Sequence, residues 1–326
     1  MDYLKLAERV IAGTSITQAE ALGLLNTPDD DLMPLLLGAA QIRRRYHGNK
    51  VKLCGIVNAK SGRCSENCSF CAQSGHHQTD CQVYPLMSEA ELVTAAKSAE
   101  KEMSATCFSF VTSGKTIHSE AEIATLASAL DKVAKETGLN RCVSLGILDR
   151  EQMLALKKAG LKRLHHNLET AESFFPKMCT THTYADRVRT IKLAQEIGLE
   201  VCSGGIFGIG ESPEQRIELA FALKELNVQS VPINILIPMP GTPAAKDHKP
   251  LSPRAVLKLI ATYRFILPTQ DIGVFGGRES SLGPFQPLMF PAGANVTLIG
   301  NYLTSRGQAP EEDLQMIRKL GLEISA

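Results

Sequence analysis

Three cysteines, Cys64, Cys68 and Cys71, follow one another in a C-x3-C-x2-C spacing, and thiolates this close together can bind a metal centre. Four thiolates would complete the coordination shell of a bound metal centre. Three thiolates in one short segment instead predict an iron-sulfur cluster in which one iron is open to a ligand that is not protein. An open iron indicates catalysis rather than a purely structural role.

A structural zinc site is the alternative interpretation of this segment, because His76, His77 or Cys81 could supply a fourth ligand. Structural zinc sites usually hold the metal between two C-x2-C knuckles, and the sequence contains no second knuckle. The cysteine spacing therefore favours the cluster.

The elements that must position this segment alternate along the chain after residue 47. Eight short apolar runs have the composition of buried strands: residues 51–57, 106–111, 141–145, 161–165, 199–209, 230–237, 271–275 and 295–299. Amphipathic helices are predicted between them. Capping-box sequences mark two helix starts, at residues 88–91 and 119–122, and serine followed by proline marks two more, at 212–213 and 252–253.

Eight strands, each followed by a helix over about 250 residues, predict an α/β fold of the (β/α)8 TIM-barrel type, with a doubly wound open sheet as the alternative. We expect residues 1–47 to form an N-terminal helical extension and residues 48–326 to form the barrel with a C-terminal helix. Reactive groups of such barrels collect at the C-terminal ends of the strands. The three-cysteine segment directly follows the first predicted strand, which places it at that end.

Four more cysteines fall within predicted strands: Cys54, Cys107, Cys142 and Cys202. A single strand cysteine is commonly a small core residue. Four on the walls of one barrel favour a second metal centre instead. The strand rise of about 3.3 Å per residue places Cys54 roughly 10 to 13 Å below the upper cysteines, which leaves space for a substrate between the two centres.

The composition argues against several other classes of protein. A chain of 326 residues with 44% hydrophobic content can bury a large core, and a net charge of +1 without long runs of one sign argues against nucleic-acid and membrane partners. No segment has the roughly 18 uninterrupted apolar residues of a membrane span, and residues 1–11 lack a signal-peptide stretch. Nine cysteines without a disulfide framework indicate reduced thiols, so we expect a cytoplasmic protein.

The upper cysteine segment, with Phe70 between its last two cysteines, resembles the signature of radical S-adenosylmethionine (SAM) enzymes. From about residue 40 to the end, the chain resembles more specifically the biotin synthase family. The segments that carry this resemblance are 58–64, 142–146, 166–169, 180–184, 201–206, 231–234, 241–243, 276–279 and 292–295.

The resemblance implies two clusters. Cys64, Cys68 and Cys71 would hold a [4Fe-4S] cluster whose open iron binds SAM. An auxiliary [2Fe-2S] cluster would be held by three cysteines and an arginine, at positions that match Cys107, Cys142, Cys202 and Arg278. Arginine is normally protonated and a poor ligand, so a labile cluster is implied. The alternative for Arg278 is a buried counter-ion of the anionic cluster.

The sequence departs from the family pattern at Cys54, where better-known members have a serine. A thiolate at this position would complete a set of four cysteines, which suits a four-iron cluster better than a two-iron one. We therefore hypothesise that Cys54 is a ligand. The remaining cysteines, Cys81 and Cys179, match no position with an assigned role.

The resemblance also implies a SAM site. It assigns Asn167 and Glu169 to the ribose hydroxyls, Arg187 to the amino acid carboxylate and Ile206 to the adenine, with Glu169 in place of the usual aspartate. The neighbouring Gly204 and Gly205 give a stretch without side chains against which SAM can pack, although a tight strand end is the alternative interpretation.

For the substrate, the resemblance indicates His165, Asn167 and Asn234. His165 stands where the family commonly has an asparagine that touches substrate. The two asparagines can offer both donors and acceptors to a urea-like ring, although either could instead cap a helix or close a turn.

The reaction implied by the resemblance is the radical insertion of sulfur into dethiobiotin, with the sulfur taken from the auxiliary cluster. A reducing protein such as flavodoxin or ferredoxin would supply electrons, and the enzyme would be a homodimer. Two alternatives are another radical SAM enzyme, a mutase or a cofactor maturase, and a non-enzymatic iron-sulfur sensor. The four strand cysteines argue against a mutase, which needs no sulfur source.

Overall fold

The computed structural model describes residues 1–246 and 249–325. Within these residues it contains ten parallel strands, of which the first begins at residue 50. Residues 247, 248 and 326 of the predicted barrel region lie outside the described residues. The strands are β1 Lys50–Lys60, β2 Cys107–Thr112, β3 Asn140–Ser144, β4 Arg163–His165, β5 Glu200–Cys202, β6 Gly205–Phe207, β7 Ser230–Ile235, β8 Asp271–Val274, β9 Val296–Leu298 and β10 Glu323–Ile324.

The strands close into a barrel because β1 pairs with β2 on one side and with β9 on the other. Around the barrel the order is β1, β2, β3, β4, β5 with β6, β7, β8 and β9, and all pairs are parallel. Since β5 and β6 form one wall, the barrel has eight walls. The predicted (β/α)8 barrel is confirmed, and each of the eight apolar runs contributes one wall.

The fifth wall is divided between β5 and β6, which the sequence did not predict. Cys202 lies opposite Ser230 and Gly205 opposite Ile233, so the register with β7 is the same on both sides of the interruption. Pro232 of β7 lies at the interruption. Proline has no amide hydrogen to donate to the ladder, which explains why the regular pairing stops there.

Helices cover the outside of the barrel and precede it. They are α1 Tyr3–Ile11, α2 Gln18–Leu25, α3 Leu32–His47, α4 Glu89–Met103, α5 Glu120–Glu136, α6 Arg150–Lys158, α7 Phe175–Met178, α8 Tyr184–Glu196, α9 Pro213–Glu225, α10 Pro243–Lys246, α11 Pro253–Ile266, α12 Arg278–Leu282 and α13 Pro310–Lys319. Ser88 and Glu91 form a complete capping box at α4, as predicted. Among the described residues, no helix is both long and apolar enough to cross a bilayer.

The first three helices pack on the outside of the barrel, against α9 and α11. Tyr3, Leu35 and Ala39 are buried in this contact. Arg43 of α3 is also buried and donates through Nε to the carbonyl of Ala294, at 2.7 Å, just before β9. This bond ties the N-terminal helices to the loop that leads into the last barrel strand.

Charged pairs occupy the lower end of the barrel, where the strands begin. Lys52 Nζ lies 2.6 Å from Asp271 Oδ2, and Asn295 Nδ2 donates to Asp271 Oδ1 at 2.7 Å. Arg163 is paired with Glu200 at the same end. The interior above these pairs is therefore reached from the C-terminal ends of the strands, where the upper cysteine segment lies.

Candidate active site

A cavity of about 410 Å³ occupies the barrel interior. Its lining extends from the upper cysteine segment down to Cys54 and Ser230 in the strands. All but three of the site residues predicted from the sequence line it. The three exceptions are Gly204, Gly205 and Arg278.

The upper cysteine segment follows β1 and is closed by its own backbone. Cys64 N–H donates to the carbonyl of Gln73 at 2.9 Å, and Gly75 N–H donates back to Cys64 at 2.7 Å. Two bonds fix the segment to the chain around α7, since Ser69 N–H donates to Met178 and Asn67 Nδ2 donates to Thr180 Oγ1. The upper cysteines, defined as Cys64, Cys68 and Cys71, are thereby held at the cavity wall together with Phe70.

Cys179, which had no predicted role, lies buried behind Cys68. The ligand atoms of Cys68, Cys179 and His182 all lie within 4.8 Å of one another, which is close enough to hold a metal ion. Cys68 also belongs to the upper cysteines. The two possible ligand sets therefore compete for one thiol.

His182 joins the cysteine segment to Arg187. Arg187 Nε donates to His182 Nε2 at 3.0 Å, so Nε2 carries a lone pair and the ring proton is on Nδ1. Nδ1 then donates to Glu66 Oε2, at 2.5 Å. Glu66 lies between the first two upper cysteines, and the chain of bonds orients Arg187 relative to the segment. This link was not predicted from the sequence, because its residues are far apart along the chain.

The residues assigned to SAM are brought together on one wall. Arg187 Nη1 donates to the carbonyl of Asn167 at 2.8 Å and lies 3.6 Å from Glu169 Oε1. Asn167 accepts from Gly204 N–H at 3.1 Å, while the carbonyl of Glu169 accepts from Ile206 N–H at 2.8 Å. Glu169 has a φ of 69°, an uncommon conformation for this residue, so these bonds hold a strained backbone in place.

Gly204 and Gly205 serve the packing of the wall rather than the cavity surface. A Cβ atom on Gly204 would lie 2.0 Å from the carbonyl oxygen of Pro232, and one on Gly205 would lie 2.6 Å from that of Glu169. Any side chain would therefore push neighbouring backbone away. Of the stretch 204–206, Ile206 is the residue that lines the cavity.

Asn234 lines the cavity from the end of β7. Its Oδ1 accepts from Gly276 N–H at 3.0 Å, and its Nδ2 donates to the carbonyl of Gly205 at 3.2 Å. An amide side chain has two donor hydrogens and two acceptor lone pairs. The backbone bonds fix the orientation of Asn234 and leave one donor and one acceptor for a bound molecule.

The lower cysteines, defined as Cys54, Cys107, Cys142 and Cys202, lie on β1, β2, β3 and β5 and all line the cavity. Cys54 is the register partner of Cys107 on the adjacent strand. The Sγ atoms of Cys107 and Cys142 are 2.9 Å apart. The structure therefore brings the predicted cysteines of neighbouring walls together.

Hydrogen bonds between neighbouring thiols shift the pKa values of the lower cysteines. Hydrogen bonds from Cys142 and Cys54 hold the pKa of the Cys107 thiol well below its ordinary value. Hydrogen bonding to Cys107, together with burial, raises the pKa values of Cys54 and Cys142. A low thiol pKa favours the thiolate, which is the form that binds metal.

Two basic side chains accompany these thiols. Arg163 is the register partner of Cys142, and His165 is the register partner of Cys202. Burial would lower the pKa of Arg163, but the electrostatic interaction with Cys142, Cys202 and Cys107 outweighs burial and raises it. Burial would also lower the pKa of His165, but the interaction with Cys202 outweighs burial and raises it. Sequence reasoning missed Arg163, because an arginine within a strand has no motif around it.

Arg278 has a different environment from the one that the resemblance assigned to it. Its guanidinium is 1% exposed and forms two bonds with Asp313 of α13, at 2.6 and 2.8 Å. It does not line the cavity, and its Nε atom is buried without a hydrogen-bond partner in the described part of the chain. The residue begins α12 after Gly277, whose φ of 74° turns the chain at this point.

The wall formed by β8 offers no cation to the lower cysteines within its described residues. A Cβ atom on Gly273 would lie 2.5 Å from the ring of Phe275, and Phe275 itself lines the cavity. An aromatic ring over a glycine therefore covers this part of the interior. The donor set that the structure presents is four thiols, and thiolates are the ligands that iron-sulfur clusters prefer.

Three buried polar atoms on residues that line the cavity lack a hydrogen-bond partner in the described part of the chain: Ser109 Oγ, Thr112 Oγ1 and His166 Nε2. Burial and the nearby charge of Arg187 hold the pKa of His166 well below its ordinary value, so the ring is neutral. Buried polar groups without partners are costly. The cavity is therefore built to receive a molecule that has polar groups of its own.

Two family models match the chain. The Radical SAM superfamily model matches residues 59–223, and the Biotin and Thiamin Synthesis associated domain model matches residues 232–323. The first match contains the upper cysteines and three of the four lower cysteines, and Cys54 lies just before it.

Curated relatives resemble the whole chain. A biotin synthase of Geotalea daltonii is 48% identical over 326 residues, covering 100% of this chain and 98% of the relative. Biotin synthases of Geotalea uraniireducens and Pelotomaculum thermopropionicum are 50% and 48% identical, covering 98% and 99% of this chain and 97% and 99% of the relatives.

Solved structures share the fold at low sequence identity. Methylornithine synthase has a TM-score of 0.86 at 21% identity, covering 98% of this chain and 97% of that protein. HydG, a maturase of the [FeFe]-hydrogenase, has a TM-score of 0.80 at 18% identity, covering 99% of this chain and 75% of that protein. At these identities the likeness concerns the fold alone.

Proposed function

The chain belongs to the biotin synthase family of radical SAM enzymes, and from that premise we propose which of its residues carry each part of the reaction. The activity of the family is the insertion of sulfur into dethiobiotin to form the thiophane ring of biotin. The observation that carries our assignment is the position of two separate groups of thiols along one cavity.

The upper cysteines would hold the [4Fe-4S] cluster and would leave it one ligand position for SAM. When bound, this cluster would supply the electron that reductive cleavage of SAM requires. Arg187 binds the amino acid carboxylate of SAM, and its orientation is set by the bond to His182. Asn167 and Glu169 bind the ribose, while Ile206 and Phe70 pack against the cosubstrate from the cavity wall.

The lower cysteines would hold the auxiliary cluster, which would supply the sulfur atom. Three observations support this assignment: Cys54 is level with Cys107, hydrogen bonds lower the pKa of the Cys107 thiol, and no cation from β8 faces the group within the described residues. We assign Cys54 as the fourth ligand and a four-iron cluster to the site, rather than a [2Fe-2S] cluster with an arginine ligand. Arg278 then has a structural role as the partner of Asp313.

Dethiobiotin lies between the two groups of thiols. His165, Asn167 and Asn234 line this part of the cavity and offer hydrogen-bond donors and acceptors to the ureido ring. Ser109 and His166 supply further polar atoms that the protein itself leaves unpaired. The closed barrel excludes water from the reacting carbon atoms, which protects a radical from side reactions.

We assign a small reducing protein such as flavodoxin or ferredoxin as electron donor, a cytoplasmic location and a homodimeric state. The nine cysteines, all free, support a reducing compartment. The electron donor and the dimer rest on the family resemblance.

One reaction tests the proposal. The anaerobically reconstituted chain is incubated with dithionite, SAM and dethiobiotin, and 5'-deoxyadenosine and biotin are both detected by mass spectrometry. We expect both products. Formation of 5'-deoxyadenosine without any sulfur-bearing product from the doubly reconstituted wild type would refute sulfur donation by the lower cysteines. It would favour another radical SAM reaction, such as that of a maturase.

A further inference from the structure

Arg163 is a buried cation at the lower end of the cavity. It begins β4, where its register partners are Cys142 on one side and Glu200 on the other. It lines the cavity together with all four lower cysteines. The strands on either side are about 4.8 Å away, so the long guanidinium side chain reaches the space that those thiols surround.

The hydrogen bonds of Arg163 are incomplete. Nε and Nη2 both donate to one oxygen of Glu200, at 2.9 and 2.7 Å, and Nη1 donates to no acceptor in the described part of the chain. A guanidinium has five donor hydrogens, and Nη1, which is not fully buried, keeps its hydrogens free for an acceptor in the cavity. Sulfur atoms of a cluster held by the lower cysteines would be such acceptors, because Arg163 and these cysteines line the same cavity.

The ion pair with Glu200 also leaves the charge of Arg163 poorly balanced. The side chain of Arg163 is 9% exposed, whereas that of Glu200 is 50% exposed. Water screens the carboxylate much more than it screens the cation, because the effective dielectric constant falls sharply from the surface to the interior. The positive charge is therefore felt inside the cavity.

We propose that Arg163 is a positioning residue of the auxiliary cluster, which it holds by hydrogen bonds to sulfur and whose negative charge it offsets. This inference rests on the proposed function of the lower cysteines. A nearby cation stabilises the more negative, reduced form of a cluster, so Arg163 raises its reduction potential. The alternative is that Arg163 serves only as the structural partner of Glu200.

The two explanations predict different results for two substitutions. Arg163→Gln removes a positive charge beside the cluster, and Glu200→Gln removes the negative charge that opposes it. If Arg163 acts on the cluster, the first variant lowers the reduction potential and the second does not lower it. If only the ion pair matters, the two variants behave alike.

The experiment uses the full chain reconstituted with both clusters. Iron and sulfide are counted first, and the reduction potential of each cluster is then measured by a titration followed by electron paramagnetic resonance, with SAM added to identify the signal of the upper cluster. Arg141→Gln is the matched control, because Arg141 lies on β3 and, among the described residues, its side chain donates only to the backbone carbonyls of Gly160 and Leu139. We expect Arg163→Gln alone to lower the potential of the auxiliary cluster, with the upper cluster unchanged.

An unchanged potential in a fully loaded Arg163→Gln protein would overturn the inference, as would an equal shift in Glu200→Gln. If Arg163→Gln fails to load the auxiliary cluster, loading that is retained in Arg163→Lys and Glu200→Gln supports the inference, and loss in Glu200→Gln overturns it. A wild type that loads iron only at the upper cysteines would instead refute the proposed function, and the inference would fall with it.

Discussion

Cys54 and Cys107 occupy the same register position on adjacent strands of the barrel. Cys107 in turn has its Sγ atom 2.9 Å from that of Cys142. The position of Cys54 thus adds a fourth thiol to the lower cysteines without any contribution from β8. A site built from these four thiols would need no arginine ligand.

The first prediction concerns the iron content. If Cys54 is a ligand of a four-iron cluster, the reconstituted wild type contains about eight irons per chain, and Cys54→Ser contains fewer. Chemical analysis of iron and sulfide measures both. Cys81→Ser is the matched control, since Cys81 bonds Ser61 and Gln82 outside the cavity. Equal counts of about six irons in wild type and Cys54→Ser would refute the role of Cys54.

The second prediction separates the two groups of thiols. Cys142→Ala removes a lower cysteine and leaves the upper cysteines intact, so we expect 5'-deoxyadenosine to form while biotin does not. Cys68→Ala should abolish both products, because the radical itself then fails to form. Mass detection of the two products in one reaction checks this. Biotin formation by Cys142→Ala at the wild-type rate would contradict the assignment.

The third prediction concerns His165, which stands where the family commonly has an asparagine. His165→Asn shortens the side chain at the cavity wall, and loss of one hydrogen bond should raise the KM for dethiobiotin roughly three- to tenfold. The KM for SAM should not change. Steady-state measurement with each substrate in turn distinguishes the two constants. A change confined to the KM for SAM would place His165 in the cosubstrate site instead.

The fourth prediction concerns the orientation of Arg187. His182→Gln breaks the bonds that join Glu66 to Arg187, so we expect the KM for SAM to rise several-fold while the KM for dethiobiotin stays the same. His76→Gln is a suitable control, because His76 is exposed and, in the described part of the chain, its ring forms a hydrogen bond only with the carbonyl of Ser65. Equal effects in the two variants would argue against a link through His182.

The fifth prediction concerns Arg278 and Asp313. Arg278→Met leaves the buried carboxylate of Asp313 without its partner, which should lower the free energy of unfolding by about 3 to 5 kcal/mol. The double variant Arg278→Met with Asp313→Leu should recover much of this loss. Denaturant unfolding measures stability, and iron analysis is done in parallel. Lower iron content with unchanged stability would instead indicate that Arg278 is a cluster ligand.

Some properties of this protein were fixed by short-range features of the chain. The spacing of Cys64, Cys68 and Cys71 predicted an open-iron cluster, because ligands so close in sequence must lie in one loop. The alternation of eight apolar runs with capped helices predicted the barrel, since hydrophobic period and capping are local properties. The four strand cysteines were also correctly expected to line one interior.

Other properties depended on contacts between residues far apart in the sequence, and they became visible only in the three-dimensional structure. Asp313 of α13 is the partner of Arg278, and Arg163 lies beside Cys142 because two strands pair in a particular register. Positions 204 and 205 require glycine because the backbones of Pro232 and Glu169 leave no space for a side chain there. A sequence shows which groups are available. The closure of the barrel determines which of them lie in the same interior, and therefore which charges and thiols interact.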